Sequence, residues 1–502
     1  MFWVPLGLTC GLALLSFVPR VQDNPVLTRS FWGVAALLLV WQVALFQRSK
    51  SVGRSLRTEL RPQHYVQALV QLALFAYWGW YWRPVYDFAW LLAAQLVFAY
   101  AFDMLLCWSR RRTYVIGFGP FPVIFSTNLF LWFRDDWFYL QFFMLAVGFL
   151  GKEFVRWHRD GRSTHIFNPS AFSLGLFSLV LLVTGTSDLT WGDSIATTLN
   201  LAPNGYLVLF LLGLVVMYFF SITLVAACAA GVLFALSALY TELMGVPFFI
   251  DSEIPIAVFL GLHLLVTDPS TSPRTASGKV MFGVLYGLGV FGLFELLGLF
   301  ALPTFYDKLL CVPLLNLSVQ RIDRMARALR PVLVRRAAVD AVSRRANLAH
   351  MAVWVLFFSV MAARGSTDGR HTGDSVPFWQ EACAEDRRKA CRTLVLLELV
   401  YCHDGAGWAC NEIGVHYTQG FDLLAPDPES AAGWFSRACE WGFQPGCVNL
   451  RLPEGLHRAD PRVIDLRTLL REGQQNLLEM SEDALNARAC DHGWTFACTP
   501  SQ

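Results

Sequence analysis

The sequence predicts an all-α protein in two parts, a polytopic membrane helix bundle followed by a cysteine-rich module of helical repeats. Three observations carry this expectation. Hydrophobic residues make up 55% of the 502-residue chain and charged residues only 16%, with a mean hydropathy of +0.44; soluble domains carry about 25% charged residues. Lys and Arg are distributed unevenly among the loops that join the apolar runs. Eight of the twelve cysteines lie between Cys383 and Cys498 in four pairs, and the members of every pair are eight positions apart. At this length more than one domain is expected. A net charge of +2 gives no reason to expect a nucleic-acid partner.

Apolar runs of the length that crosses a bilayer, about 17–25 residues, begin near residues 2–19, 31–47, 64–82, 87–107, 113–133 and 137–151. They continue near 166–185, 204–220, 221–241, 249–266, 280–300, 303–319 and 347–363, giving about thirteen spans. Met1-Phe2-Trp3-Val4-Pro5 lacks the basic segment of a signal peptide, so the first run is read as a span that stays in place. Alternating the spans from a cytoplasmic N-terminus puts the loops 48–62, 110–112, 152–162, 267–279 and 318–346 inside. These carry 22 Lys and Arg, against five on the other side, a positive-inside pattern. The last span then delivers the chain beyond about Arg364 to the outside. Within the basic stretch 321–346, Arg321, Arg324 and Arg327 share one helix face. That face suits either a soluble partner or anionic membrane lipid. Trp78, Trp80, Tyr81 and Trp82 read as an interfacial aromatic belt.

Two stretches inside the apolar region are polar. Ser163-Thr164-His165-Ile166-Phe167-Asn168-Pro169-Ser170-Ala171-Phe172 has the form of a helix start. Proline gives up no needed N–H in the first turn, and the preceding Asn can accept from the orphan amides beyond it. The following span ends in a loop with Asp193-Ser194-Ile195-Ala196-Thr197-Thr198-Leu199. The second stretch, Thr267-Asp268-Pro269-Ser270-Thr271-Ser272-Pro273, is followed by Gly278-Lys279 and Phe282-Gly283. Helix termini within a bundle are where anionic groups and ions bind in membrane proteins. Both motifs are therefore expected to line one internal site, for a flavin phosphate or an ion; as plain helix starts they would need no ligand.

Over roughly residues 60–320 these motifs resemble the membrane subunits of two bacterial ion-pumping redox complexes. These are the D subunit of the Rnf ferredoxin:NAD complex and the B subunit of the sodium-pumping NADH:quinone reductase. The resemblance implies FMN joined by a phosphoester to the last residue of a Ser-Gly-Ala-Thr core. Ser194-Ile195-Ala196-Thr197 occupies the corresponding loop, with Ile195 in place of the glycine and Asp193 closer to the Thr than that family places its acid. Cofactor-binding residues implied are Thr197, Ser194, Asn168, Pro169, Thr267, Asp268 and Lys279. Further implications are a location in the bacterial inner membrane and other redox-complex subunits as partners.

In the C-terminal part, Cys402 to Cys439 is 37 residues, a helical-hairpin repeat length. Ala438-Cys439-Glu440-Trp441-Gly442 through Gly446-Cys447-Val448-Asn449-Leu450 resembles a cysteine-bridged Sel-like repeat, a relative of the tetratricopeptide repeat. Cys402 through Cys410, then Gly414-Val415-His416-Tyr417 and Gly420, resembles another. The resemblance implies the bridges Cys383–Cys391, Cys402–Cys410, Cys439–Cys447 and Cys490–Cys498, each joining consecutive helices. Zinc is the rival for the thiols, although metal sites favour C-x₂₋₄-C spacing. Disulfides need an oxidising compartment, where the charge pattern independently puts this domain. His403 and His416 read as surface or packing residues. No metal site is expected, and the repeats suit binding of an extracytoplasmic protein.

Ionisable residues within spans complete the candidates, because each costs roughly 2.5–3.5 kcal/mol to insert. Asp103 and Glu295 read as ion or proton pathway residues; Asp103 also lies close enough to a helix end to be merely solvated. His263 precedes the Thr267 motif by four positions. The expected organisation is thus N-terminal transmembrane helices over 1–60, the redox-subunit-like domain over 61–320, a basic segment over 321–346, a last span over 347–363 and the repeat domain over 364–502. The expected function is membrane electron transfer through flavin, coupled to Na⁺ or H⁺ movement. The alternative is a non-redox transporter or assembly scaffold whose repeats recruit a partner.

Overall fold

The computed structural model describes residues 3–48, 53–159, 161–266, 268–328, 342–367, 371–403, 405–422, 424–451, 456–458, 482–491 and 498. The described chain is helical apart from four short strands. In order, the helices of the apolar region are α1 Trp3–Leu15, α2 Pro19–Gln22, α3 Pro25–Arg48, α4 Pro62–Tyr81, α5 Pro84–Asp87, α6 Ala89–Arg110, α7 Pro120–Asn128 and α8 Phe138–Phe154. They continue as α9 Pro169–Thr184, α10 Gly192–Thr198, α11 Gly205–Phe220, α12 Thr223–Met244, α13 Ile256–Leu264, α14 Ala276–Leu299, α15 Asp307–Ala328 and α16 Arg344–Ala363. Five of them, α3, α6, α12, α14 and α16, are long and apolar enough to cross a membrane, and α1, α9 and α11 are shorter apolar helices. The chain is a membrane protein on this ground.

Each expected run contains a helix, but two contain only a short one. α7 and α13 have nine residues each, about 14 Å of helix against a hydrocarbon layer of about 30 Å. The segment holding α7 nevertheless runs from one end of the bundle to the other. Arg111 pairs with Glu153 at the end of α8 (2.6 Å), whereas the Arg134 amide donates to Leu189 beyond α9 (2.9 Å). The local causes are visible. Gly117, Gly119, Pro120 and Pro122 hold back the start of α7, and the Asn128 amide turns back onto the Ile124 carbonyl (2.8 Å) at its end. Two strand pairs lie outside the helices. β1 Ser55–Thr58 is parallel to β2 Thr113–Ile116, and β3 Arg156–Arg159 forms a hairpin with β4 Arg162–His165.

Chain contacts divide the molecule into two bodies. The first takes in the chain to Leu199, Leu207–Leu233 and Ala257–Phe358. Here α1 packs on α3 and α6, α8 on α9, and α15 on both α9 and α14. Between helices in lipid, close approach replaces the hydrophobic effect as the source of affinity, so small residues collect at contacts. Gly283 and Gly287 of α14 do this: a Cβ on them would lie 2.4 Å from the Val225 carbonyl and 2.8 Å from that of Ala229 on α12. Gly175 of α9 likewise admits the ring of Pro313, which sits inside α15. The expected aromatic belt is corrected by helix periodicity. Trp80 projects outward at 64% exposure, while Trp78 is buried at 2%. Trp78 and Trp82, four residues apart and so on one face, stack on each other at 5.1 Å and both lie 5.7 Å from Trp132.

The second body comprises Asn200–Tyr206, Phe234–Ile256 and the chain from Ser359 on. Its helices are α17 Val376–Ala384, α18 Ala390–His403, α19 Gly407–Gln419, α20 Pro428–Glu440, α21 Gln444–Arg451 and a further helix, Glu482–Asp491. The core joins Trp379, Leu394, Trp408, Ile413 and Phe443 to Val246, so the 234–256 segment belongs to this body and not to the apolar bundle alone. All four expected disulfides are present: Cys383–Cys391, Cys402–Cys410, Cys439–Cys447 and Cys490–Cys498. The first three join α17 to α18, α18 to α19 and α20 to α21. The free cysteines are Cys10, Cys107, Cys228 and Cys311.

Candidate functional site

The two polar motifs of the apolar region meet. Asn168 caps α9 as its sequence predicts: its side-chain oxygen accepts from the Ser170 amide (3.1 Å) and hydroxyl (2.8 Å). Its own amide group donates to the Leu265 carbonyl (3.1 Å) just past α13. The Asn168 backbone N–H donates to Asn316 of α15 (3.2 Å), and Asn316 donates in turn to the Thr271 carbonyl (3.3 Å). Asp268 accepts from the Ser270 amide (2.9 Å) and the Thr271 hydroxyl (3.2 Å). His165 lies 3.8 Å from its carboxylate, an electrostatic contact beyond hydrogen-bond range. Burial raises the Asp268 pKa, but the His165 side chain and the Ser270 groups outweigh it and hold the carboxyl below its ordinary range. Thr267 lies outside the described residues.

A buried ion pair closes the same junction. Arg159 of β3 reaches Asp323 of α15 at 2.6 Å and donates to the Ser272 carbonyl at 3.0 Å. The other Asp323 oxygen accepts from the Arg274 amide. Sequence reading missed Arg159, Asn316 and Asp323. Each stands in an ordinary basic or amphipathic stretch, and only the fold brings them to the motifs. Lys279, one turn into α14, is buried and donates to the Ser221 carbonyl (2.7 Å) at the end of α11. A cation at a helix C-terminus is electrostatically favourable. The lysine is thereby directed to the α11 end.

Thr197 is elsewhere. α9 has 16 residues, which separates its two ends by about 24 Å, and Thr197 follows the far one. The expected loop is a short helix, α10, on which Ile195 is buried and Ser194 and Thr197 are half-buried. The Thr197 hydroxyl donates only back along α10, to the carbonyls of Asp193 (3.2 Å) and Ser194 (3.3 Å). Thr198 faces inward and accepts from the Trp78 indole (3.3 Å). At the start of α10, the Arg134 guanidinium lies 4.5 Å over the Trp191 ring. Of the pathway candidates, Asp103 accepts from Tyr114 (3.2 Å) near the end of α6. Glu295 is half-buried on α14, sixteen residues and so about 24 Å from Lys279. The structure does not bring these two acids together. The His263 Nδ1–H donates to the Phe259 carbonyl (2.7 Å), and Gly213 makes room for its ring.

A second polar cluster was also missed. Gln95, Asn128 and Gln141, from α6, α7 and α8, are each fully buried and bond one another at 2.7–3.2 Å. Gln141 also accepts from the Phe133 amide (3.0 Å), supporting the backbone where α7 has stopped. Uncharged amides in apolar runs were the available signal. Among the described residues no group of His, Cys, Asp or Glu could hold a metal ion. No family model, curated protein or solved structure matches the chain.

Proposed function

We propose that the chain is a membrane electron-transfer subunit carrying FMN at Thr197, with electron passage coupled to Na⁺ or H⁺ movement. The observation that supports the ion-coupling part of this reading is the meeting of the Asn168 and Asp268 motifs at helix ends inside the bundle, 97 residues apart in sequence at the Asn168–Leu265 contact. Thr197 fits a tethered flavin. The residue is half-buried, and among the described residues its hydroxyl engages its own helix alone, while Trp191 with Arg134 offers a flat, cationic surface nearby. The Asn168–Asp268 junction does not fit a phosphate, because the Asn168 and Ser170 donors are occupied and Asp268 is an acid; a cation is the better guest there. A bound flavin supplies the electron transfer, and the chain's part is to hold it and exclude water.

The reading includes thirteen crossings, a cytoplasmic N-terminus and an extracytoplasmic repeat module. Denatured protein, co-expressed with a flavin transferase, should fluoresce on a gel, and Thr197→Val should abolish this at little cost in stability. Native protein without flavin absorbance would overturn the redox reading. A scaffold function is then favoured by the disulfide-stapled helices, an arrangement suited to a protein partner.

A further inference from the structure

Three residues of the second body, Leu456, His457 and Arg458, are held on α19 and α21 in the manner of a bound peptide. Asn449 of α21 forms a two-way pair with the backbone of His457: it accepts from the N–H at 2.8 Å and donates to the carbonyl at 2.9 Å. Asn411 of α19 donates to the same carbonyl (2.9 Å), and Asn449 also donates to Asn411 (2.8 Å). On one side Leu456 packs against Val415, Ala431 and Phe435. On the other, Arg458 places its guanidinium on Glu412 at 2.6 Å.

The receptor side of these contacts is held by rigid helices. With the segment in place Asn411, Glu412 and Asn449 are at most 1% exposed, and Cys402–Cys410 and Cys439–Cys447 fix the helices that carry them. Buried amides and carboxylates without partners are costly, so this face is organised to meet an extended backbone followed by a guanidinium. The ligand side is slight by comparison, with one leucine, one peptide unit and an arginine whose side chain stays 48% exposed. Leu456 is half-buried, and Arg458 reaches Glu412 although both it and His457 are exposed. The backbone contact through Asn449 reads no side chain at all.

We propose that the α19–α21 face is a receptor for an extended aliphatic-x-Arg segment of a partner protein, and that Leu456-His457-Arg458 is a built-in segment that fills it in the partner's absence. This does not depend on the flavin reading. The tethered segment competes at the high effective concentration of an intramolecular ligand. A partner therefore gains access by matching its chemistry and adding contacts beyond it.

The test uses full-length protein in detergent and a fluorescein-labelled peptide with the sequence of residues 454–460. Leu456→Ala with Arg458→Ala removes both side-chain anchors, leaving only the backbone contacts and so largely emptying the face, and the peptide should bind this variant at least tenfold more tightly than the wild type. Glu412→Gln in the emptied background, or Glu for Arg in the peptide, should weaken binding at least tenfold. Equal binding to emptied and wild-type protein, or indifference to the Arg-to-Glu change, would overturn the proposal. A second measurement needs no substitution in the protein. Millimolar unlabelled peptide should speed hydrogen exchange at the His457 amide of the wild type at least tenfold, and the Glu-containing peptide should not. Exchange unaffected by either peptide would also overturn it.

Discussion

Glu398 of α18 and His416 of α19 meet at 2.8 Å with both side chains buried. Burial pushes the Glu398 carboxyl upward, Glu412 adds to this, and His416 and Arg458 pull the other way without cancelling it. An acid with a raised folded-state pKa stabilises the fold most while protonated in both states. Its contribution is complete below the ordinary glutamate range, about 4.3, and falls as the pH rises through the folded value. Asp268 has the opposite sign: its carboxyl is lowered, so its contribution is present above the ordinary range and lost as the pH falls. The two are separated by difference. The stability of wild type minus Glu398→Gln, followed by tryptophan fluorescence during denaturant unfolding, should decline with rising pH; a flat or rising difference would contradict the assignment. His416 was expected at the surface or in packing, and the structure makes it a packing residue with a carboxyl neighbour. Asn168 was legible because capping is local. The Glu398–His416 pair was not, since eighteen residues separate them and nothing nearby in sequence marks either one.

At the scale of elements, the α12–α14 contact is sensitive to substitution. Gly283→Leu sets a side chain against the Val225 carbonyl, and overpacking of this kind costs about 1–3 kcal/mol. The thermal midpoint of the detergent-solubilised protein should fall, whereas Gly292→Leu, with open space around its Cβ position, should leave it nearly unchanged. Equal effects at both positions would argue against the close approach. Helices were legible wherever apolar residues ran on without interruption, as in α3, α6, α12 and α14. The short α7 and α13 were not, because summed hydropathy is blind to where the backbone leaves the helix. The punctuation was present at Pro120 and Asn128, but weighing it requires knowing that Gln95 and Gln141 wait across the bundle. Thr197 on a helix was misread for a related reason: Ser and Thr favour turns in isolation, yet packing of Ile195 and Thr198 overrides this.

For the whole molecule, the charge asymmetry leads to an expected topology. A reporter fused after Gln502 should be active outside and one near Gly53 inside; activity of both on one side would sink the thirteen-crossing arrangement. Mass mapping without reduction should recover the four bridges, and replacing Cys439 and Cys447 by Ser should cost about 2–3 kcal/mol by the loop-closure estimate. The four bridges were legible from the cysteine spacing, but the capture of the 234–256 segment into the same core was not. Every bridge spans a sequence separation of eight, and this bears on how the module is made. Eight thiols admit 105 pairings, yet here each cysteine's partner is its nearest neighbour along the chain. If the module is delivered vectorially into an oxidant, both members of each pair emerge before the first cysteine of the next. Order of arrival then favours the native pairing over the other 104.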